Sequence, residues 1–149
     1  MVSEETIKQL VGYEFPGGEY TIEHWENFLL TECTGAELMQ DNVVHPVALF
    51  HVPIMGCNTT IAKMFELGHA DSDASILVES YEWETFHPLK EDTPYKVSGG
   101  VIGAERCRGE EGDIYDRVQF RFELVDPQGE LAARSVIIWY YTRTEESGD

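Results

Sequence analysis

Between Asp73 and Arg143 the chain runs through four long strand-like stretches, and its only strongly apolar helical segment, Pro53 to Leu67, comes immediately before them. That order predicts an α+β domain in which one long central helix is wrapped by a curved antiparallel sheet. The clearest stretch is Tyr115 to Val125, where Val118, Phe120, Phe122 and Leu124 alternate with Gln119, Arg121 and Glu123. A period of two puts one face on a core and the other in water. Asp126-Pro127-Gln128-Gly129 supplies turn chemistry, and Glu130 to Arg143 returns as the second arm of a hairpin. Ser135 to Tyr141 is apolar or aromatic at nearly every position, as a strand covered on both faces would be. Ala74 to Phe86 and Tyr95 to Cys107 read as the other two strands, separated by a proline-bearing loop from His87 to Pro94.

Ahead of the sheet, Thr21 is placed to cap a short helix in which Ile22, Trp25, Phe28 and Leu29 recur at helical spacing, with Glu23 and Glu26 near its positive end and Gly35 closing it. In the second helix Pro53 suits the first position. Ile54, Cys57, Ile61, Met64 and Phe65 share a broad face, and Gly68 suits a left-handed cap.

The length of 149 residues, 42% of them apolar, predicts a single domain over 1–149 with a substantial core, and peripheral tails over 1–8 and 144–149. No apolar run approaches the roughly 18 residues that span a bilayer, and the first residues are acidic, so a soluble cytoplasmic protein is expected. Cys33, Cys57 and Cys107 are odd in number and lack metal or redox spacing, which predicts reduced thiols and no metal. Cys57, near the start of the second helix, is the one cysteine placed to act as a nucleophile. A net charge of -18 excludes nucleic acid as a partner, since phosphate binding needs clustered cations. Two readings of that acidity stay open, a solvated shell that keeps the protein soluble and adaptation to high salt. If the ligand is a polyanion, Lys90, Lys96, Arg106, Arg108, Arg117 and Arg121 are the cations available for a local basic rim.

Several segments carry a family resemblance: Val11-Gly12-Tyr13 leading to Thr21-Ile22-Glu23, Val43-Val44-His45-Pro46 ahead of the apolar helix, Glu79-Ser80-Tyr81-Glu82-Trp83 followed by His87-Pro88-Leu89, and the closing Trp139-Tyr140-Tyr141-Thr142-Arg143. Together they resemble the MaoC-like (R)-specific enoyl-CoA hydratase and hydroxyacyl dehydratase family, in particular its N-terminal-half or non-catalytic subunits. The resemblance implies a hotdog fold and reversible hydration of a 2-enoyl thioester. It further implies an aspartate and a histidine five positions later that hold one water, and a backbone amide at the central helix that polarises the thioester carbonyl.

Where that family continues with its Asp-x-Asn-Pro-x-His signature, this chain reads Ala36-Glu37-Leu38-Met39-Gln40 and then Asp41-Asn42-Val43-Val44-His45. Asp41 and His45 are therefore the catalytic candidates, at a spacing one short; the same residues also read as a turn followed by a wall histidine. Substrate-binding candidates are His51 at the helix mouth, Gly56 as an amide donor in the first helical turn, Asn58 on the helix and Trp83 among the sheet aromatics.

The leading expectation is a pocket-shaping subunit of a heteromeric MaoC-like hydratase, joined to a homologous catalytic hotdog subunit as a heterodimer or a dimer of heterodimers. It needs no cofactor; coenzyme A or an acyl-carrier thioester enters as part of the substrate. Two alternatives stand beside it. One is a self-sufficient homomeric hydratase using Asp41 and His45, or an acyl-CoA thioesterase using Asp41 or Glu66. The other is a non-enzymatic acyl-thioester-binding protein.

Overall fold

The computed structural model describes residues 1–144. Ser3 caps α1 (Glu4–Lys8), which buries Ile7, so the first eight residues are docked and not a loose tail. The tail expectation for 145–149 lies outside the described residues. β1 (Gly18–Thr21) leads into α2 (His24–Thr34); a 3-10 turn over Pro46–Phe50 then precedes α3 (Val52–Gly56) and α4 (Ile61–Leu67). β2 (Ile76–Thr85), β3 (Pro94–Arg108), β4 (Ile114–Val125) and β5 (Leu131–Arg143) complete the chain.

The sheet has the order β1-β3-β4-β5-β2 and is antiparallel at every junction. All four strands expected from the sequence form within two residues of the expected bounds, and Gly129, at φ 81, closes the β4–β5 hairpin by donating its amide to Asp126. One face of the sheet is apolar. Val118, Phe120, Phe122 and Leu124 of β4 and Ile137, Trp139 and Tyr141 of β5 are buried against Leu49, Val52, Ile54, Cys57 and Met64 of the helical layer. This is the hotdog layout, an antiparallel sheet curved around a central helical segment.

That segment is not continuous. Asn58 adopts φ 55 and donates from Nδ2 to the Gly17 carbonyl at 2.7 Å, so the helix stops at Gly56 and restarts behind the Thr60 cap. Gly68 ends α4 without a left-handed turn; His69 takes that conformation at φ 53. Gly68 is demanded by space instead, because a Cβ there would lie 2.2 Å from the Tyr141 ring, whose hydroxyl donates to the Met64 carbonyl.

α2 departs further from expectation. It starts after Glu23, and Thr21 belongs to β1. Its buried side is polar, Asn27 and Thr31, whereas Trp25, Phe28 and Leu29 face outward. Asn27 explains the inversion: its Oδ1 accepts from the His45 amide at 3.1 Å, and its Nδ2 donates to the Val43 carbonyl at 3.2 Å and to Glu91 Oε1 at 2.8 Å. Unsatisfied backbone groups of the 43–45 loop would each carry a desolvation cost of about 1–3 kcal/mol. A polar residue on the inner face of α2 removes that cost.

Candidate functional site

The loop from Asp41 to His51 is built by local hydrogen bonding. Asp41 and Asn42 both take left-handed backbone, at φ 61 and 60, and their side chains are exposed. His45 caps the 3-10 turn, its Nδ1 accepting from the Val47 amide at 3.0 Å, which fixes the second nitrogen as N–H. One ring nitrogen is thus spent on a cap, and Asp41 points to solvent. Among the described residues no hydrogen bond joins Asp41 to His45, whose Nδ1 is engaged by the Val47 amide.

The other sequence candidates sort clearly. Gly56 is buried, and a Cβ there would fall 2.6 Å from Val97 and 3.1 Å from Tyr20, so its role is close packing of α3 on the sheet. The neighbouring Met55 amide donates to the His51 carbonyl at 3.0 Å, which leaves it unavailable as an oxyanion donor. Asn58 donates from Nδ2 to the Gly17 carbonyl, which ties it to the segment before β1. Trp83 lies on edge strand β2, partly exposed, on the same side as Tyr81, whose ring meets Phe50 at 5.3 Å.

His51 is the candidate that lands in a chemical cluster. Its Nε2 lies 3.0 Å from Glu26 Oε1, and the Tyr20 hydroxyl donates to that same oxygen at 2.6 Å. Burial first, then the Glu26 carboxylate, pushes the Tyr20 phenol far above its ordinary value, so it serves as a fixed donor. Three elements converge here: β1 brings Tyr20, α2 brings Glu26, and the 3-10 turn before α3 delivers His51. The side chains remain reachable, Glu26 at 12% and His51 at 28% exposure.

A second carboxylate–histidine contact lies on the same helix. His24 Nδ1 is 3.0 Å from Glu91 Oε1, and Glu91 also receives Asn27 Nδ2. The Asn27 hydrogen bond, and after it the one from His24, holds the Glu91 carboxyl below the usual carboxylate value against the opposing pull of burial. Because Glu91 is locked to the loop through Asn27 and its amide bonds the Asn42 carbonyl, this pair belongs to the scaffold.

The basic rim does not assemble. Arg106 is held by Asp116, Arg117 by Glu79 and Glu105, and Arg121 lies 3.8 Å from Glu123. Lys90 bonds the Asp41 carbonyl, and only Lys96 and Arg108 of the six form no ion pair or hydrogen bond through the side chain with a described residue. Cys57 is buried with its thiol pushed up by that burial, which removes it as a nucleophile, and Cys33 is exposed. Among the described residues no cluster of three or more His, Cys, Asp or Glu is arranged to hold a metal, and no helix is long and apolar enough to cross a membrane.

No family model matches the chain, and no curated protein matches its sequence. Solved structures do resemble it. A monoamine oxidase regulatory protein from Archaeoglobus fulgius superposes with a TM-score of 0.65 at 12% identity, over 97% of this chain and 96% of that one. The HadBC (3R-hydroxyacyl-ACP dehydratase) complex from Mycobacterium tuberculosis gives 0.64 at 11% identity, over 86% of this chain and 93% of that one. A MaoC-like dehydratase gives 0.67 at 15% identity, over 91% of this chain but 43% of its own length. At such identities the likeness speaks for architecture: the chain has the hotdog fold.

Proposed function

We propose that the protein is one subunit of a hydratase-type assembly of the MaoC-like class, acting on 2-enoyl or 3-hydroxyacyl thioesters. Coenzyme A or an acyl carrier belongs to the substrate, and no further cofactor takes part. Asp41 and His45 do not carry the water; a homologous hotdog subunit supplies a catalytic Asp and His, and this chain shapes the acyl pocket. The carrying observation is the state of that pair, with Asp41 in a left-handed turn facing solvent and His45 Nδ1 engaged by the Val47 amide. Fold likeness to dehydratases supports the substrate class.

The edge strand β2 supports the paired state. Leu77, Val78 and Trp83 are exposed on it, and its outer backbone groups have no partner strand in this sheet, so a second hotdog protomer can extend the sheet there. The test is hydration of crotonyl-CoA by the isolated chain and by the complex that copurifies with it. The complex is expected to be at least about ten-fold faster, and His45→Ala in this chain to leave its rate within about three-fold, since loss of a working general base costs about 100-fold or more. A complex no faster than the isolated chain, or one silenced by His45→Ala, would overturn the reading.

A further inference from the structure

The polar contacts of this molecule divide into those that hold backbone and those that do not, and the Tyr20, Glu26 and His51 cluster is in the second group. Glu26 receives two side-chain donors on Oε1, and neither comes from a permanent cation. An ionised carboxylate only accepts, so His51 donates from Nε2, and in the neutral tautomer that makes this contact Nδ1 carries the lone pair. That nitrogen is engaged by no described residue. An imidazole oriented through one nitrogen by a carboxylate, with the other free and reachable from solvent, has the form of a general base. Exposed apolar residues stand close by in the chain: Trp25 at 60%, Phe50 at 53%, and Met55 at 55%, whose amide donates to the His51 carbonyl.

We propose that Glu26 and His51 form an acid–base pair in this chain, with Tyr20 as a positioning residue, that adds water to the enoyl group of an acyl thioester. The inference rests on the acyl-thioester reading and gives this protomer a proton-transfer pair of its own, beside the one a homologous subunit brings. In the hydration direction His51 Nδ1 takes a proton from water while the water oxygen bonds to C3. The C2–C3 π electrons move toward the thioester carbonyl to give an enolate. The imidazolium returns its proton to C2, the C1 carbonyl re-forms, and the imidazole ends neutral. Glu26 remains ionised throughout and stabilises the transient imidazolium through Nε2–H. Tyr20 fixes the carboxylate and touches no substrate.

The experiment is crotonyl-CoA hydration by the full-length chain, followed by loss of enoyl absorbance, with crotonyl-CoA affinity and thermal midpoint measured on each variant. The isolated chain is expected to hydrate slowly. His51→Ala should lower kcat by about 100-fold or more and Glu26→Gln by about 10-fold or more, with KM and thermal midpoint little changed. Added imidazole should restore part of the His51→Ala rate, which a purely structural role would not allow. Tyr20→Phe should lower kcat by about three-fold with KM unchanged, the signature of an effect passed through Glu26. A chain that binds crotonyl-CoA but hydrates none of it, or whose rate is indifferent to His51→Ala, overturns this inference while an active complex leaves the two-subunit reading standing. Absence of crotonyl-CoA binding and hydration, alone and in complex, overturns both.

Discussion

Two carboxylates in this molecule sit under opposite regimes. Asp116, fully buried on β4, is gripped by Arg106 at 2.9 and 3.1 Å and by Arg143 at 2.7 Å, and the same guanidinia continue to the carbonyls of Val2, Gly68 and His69. Arg143 Nη1 also lies 3.8 Å from Asp71, and the bonds to Val2, Gly68 and His69 staple the N-terminal segment and the end of α4 to the sheet. Glu26, by contrast, holds a titratable imidazole and a phenol at the surface, and ties down no backbone. The difference separates a carboxylate that holds backbone through guanidinium groups from one that orients an imidazole. A permanent cation locks a carboxylate, whereas a histidine leaves it working.

Emptying the closed cluster should cost the molecule most. Asp116→Asn leaves Arg143 buried without its anion and is expected to cost about 3–5 kcal/mol in denaturant unfolding, against less than about 1 kcal/mol for His51→Asn in the open one. Equal losses would mean the two carboxylates play the same structural part. Next in size, Gly68→Ala is expected to cost about 1–3 kcal/mol, because the Tyr141 ring it would strike is fully buried and cannot yield. The cost should come with faster hydrogen exchange around α4 and leave His51 chemistry unchanged.

A smaller effect concerns pH. Glu91 is held below the ordinary carboxylate value of 4.5, chiefly by Asn27, so the unfolded chain binds its proton more readily than the native one. Its stabilising contribution is therefore complete above about pH 5 and lost as pH falls through the lower native value. Glu91→Gln should flatten stability against pH in that acid window and leave the slope near neutrality unchanged. An unaltered acid limb would remove Glu91 from the scaffold. Smallest of all, Asp41→Asn should change stability by less than about 0.5 kcal/mol, as an exposed side chain in a turn that asparagine also favours.

The strands were legible because alternation is a local pattern that the sheet then enforces. Val118 to Leu124 read as an inward face and are one. The continuity of the central helix was not legible, since the break at Asn58 depends on a carbonyl 41 residues away in the chain. α2 misled for a related reason: Trp25, Phe28 and Leu29 have the spacing of a core face, but the Val43–His45 loop needed donors and acceptors, and Asn27 turned inward to provide them.

The candidate site was half legible. His51 could be placed at the helix mouth from sequence order, whereas Glu26 looked like an ordinary acidic residue in a first turn, and nothing local joins positions 25 residues apart. Asp41 and His45 echo the Asp-x-Asn-Pro-x-His signature at a spacing one short, yet His45 Nδ1 caps a turn through the Val47 amide. What a local reading misses is which backbone groups a loop leaves wanting, and Asn27 answers that for the Val43 carbonyl and the His45 amide.

The position of the water-activating pair is tested most directly by crotonyl-CoA hydration with the native complex carrying Asp41→Asn and His45→Ala together in this chain. The expected result is a rate within about three-fold of the unmodified complex, because neither side chain meets the reacting atoms. A fall of about 100-fold or more with acyl-CoA binding intact would contradict it and return catalysis to Asp41 and His45.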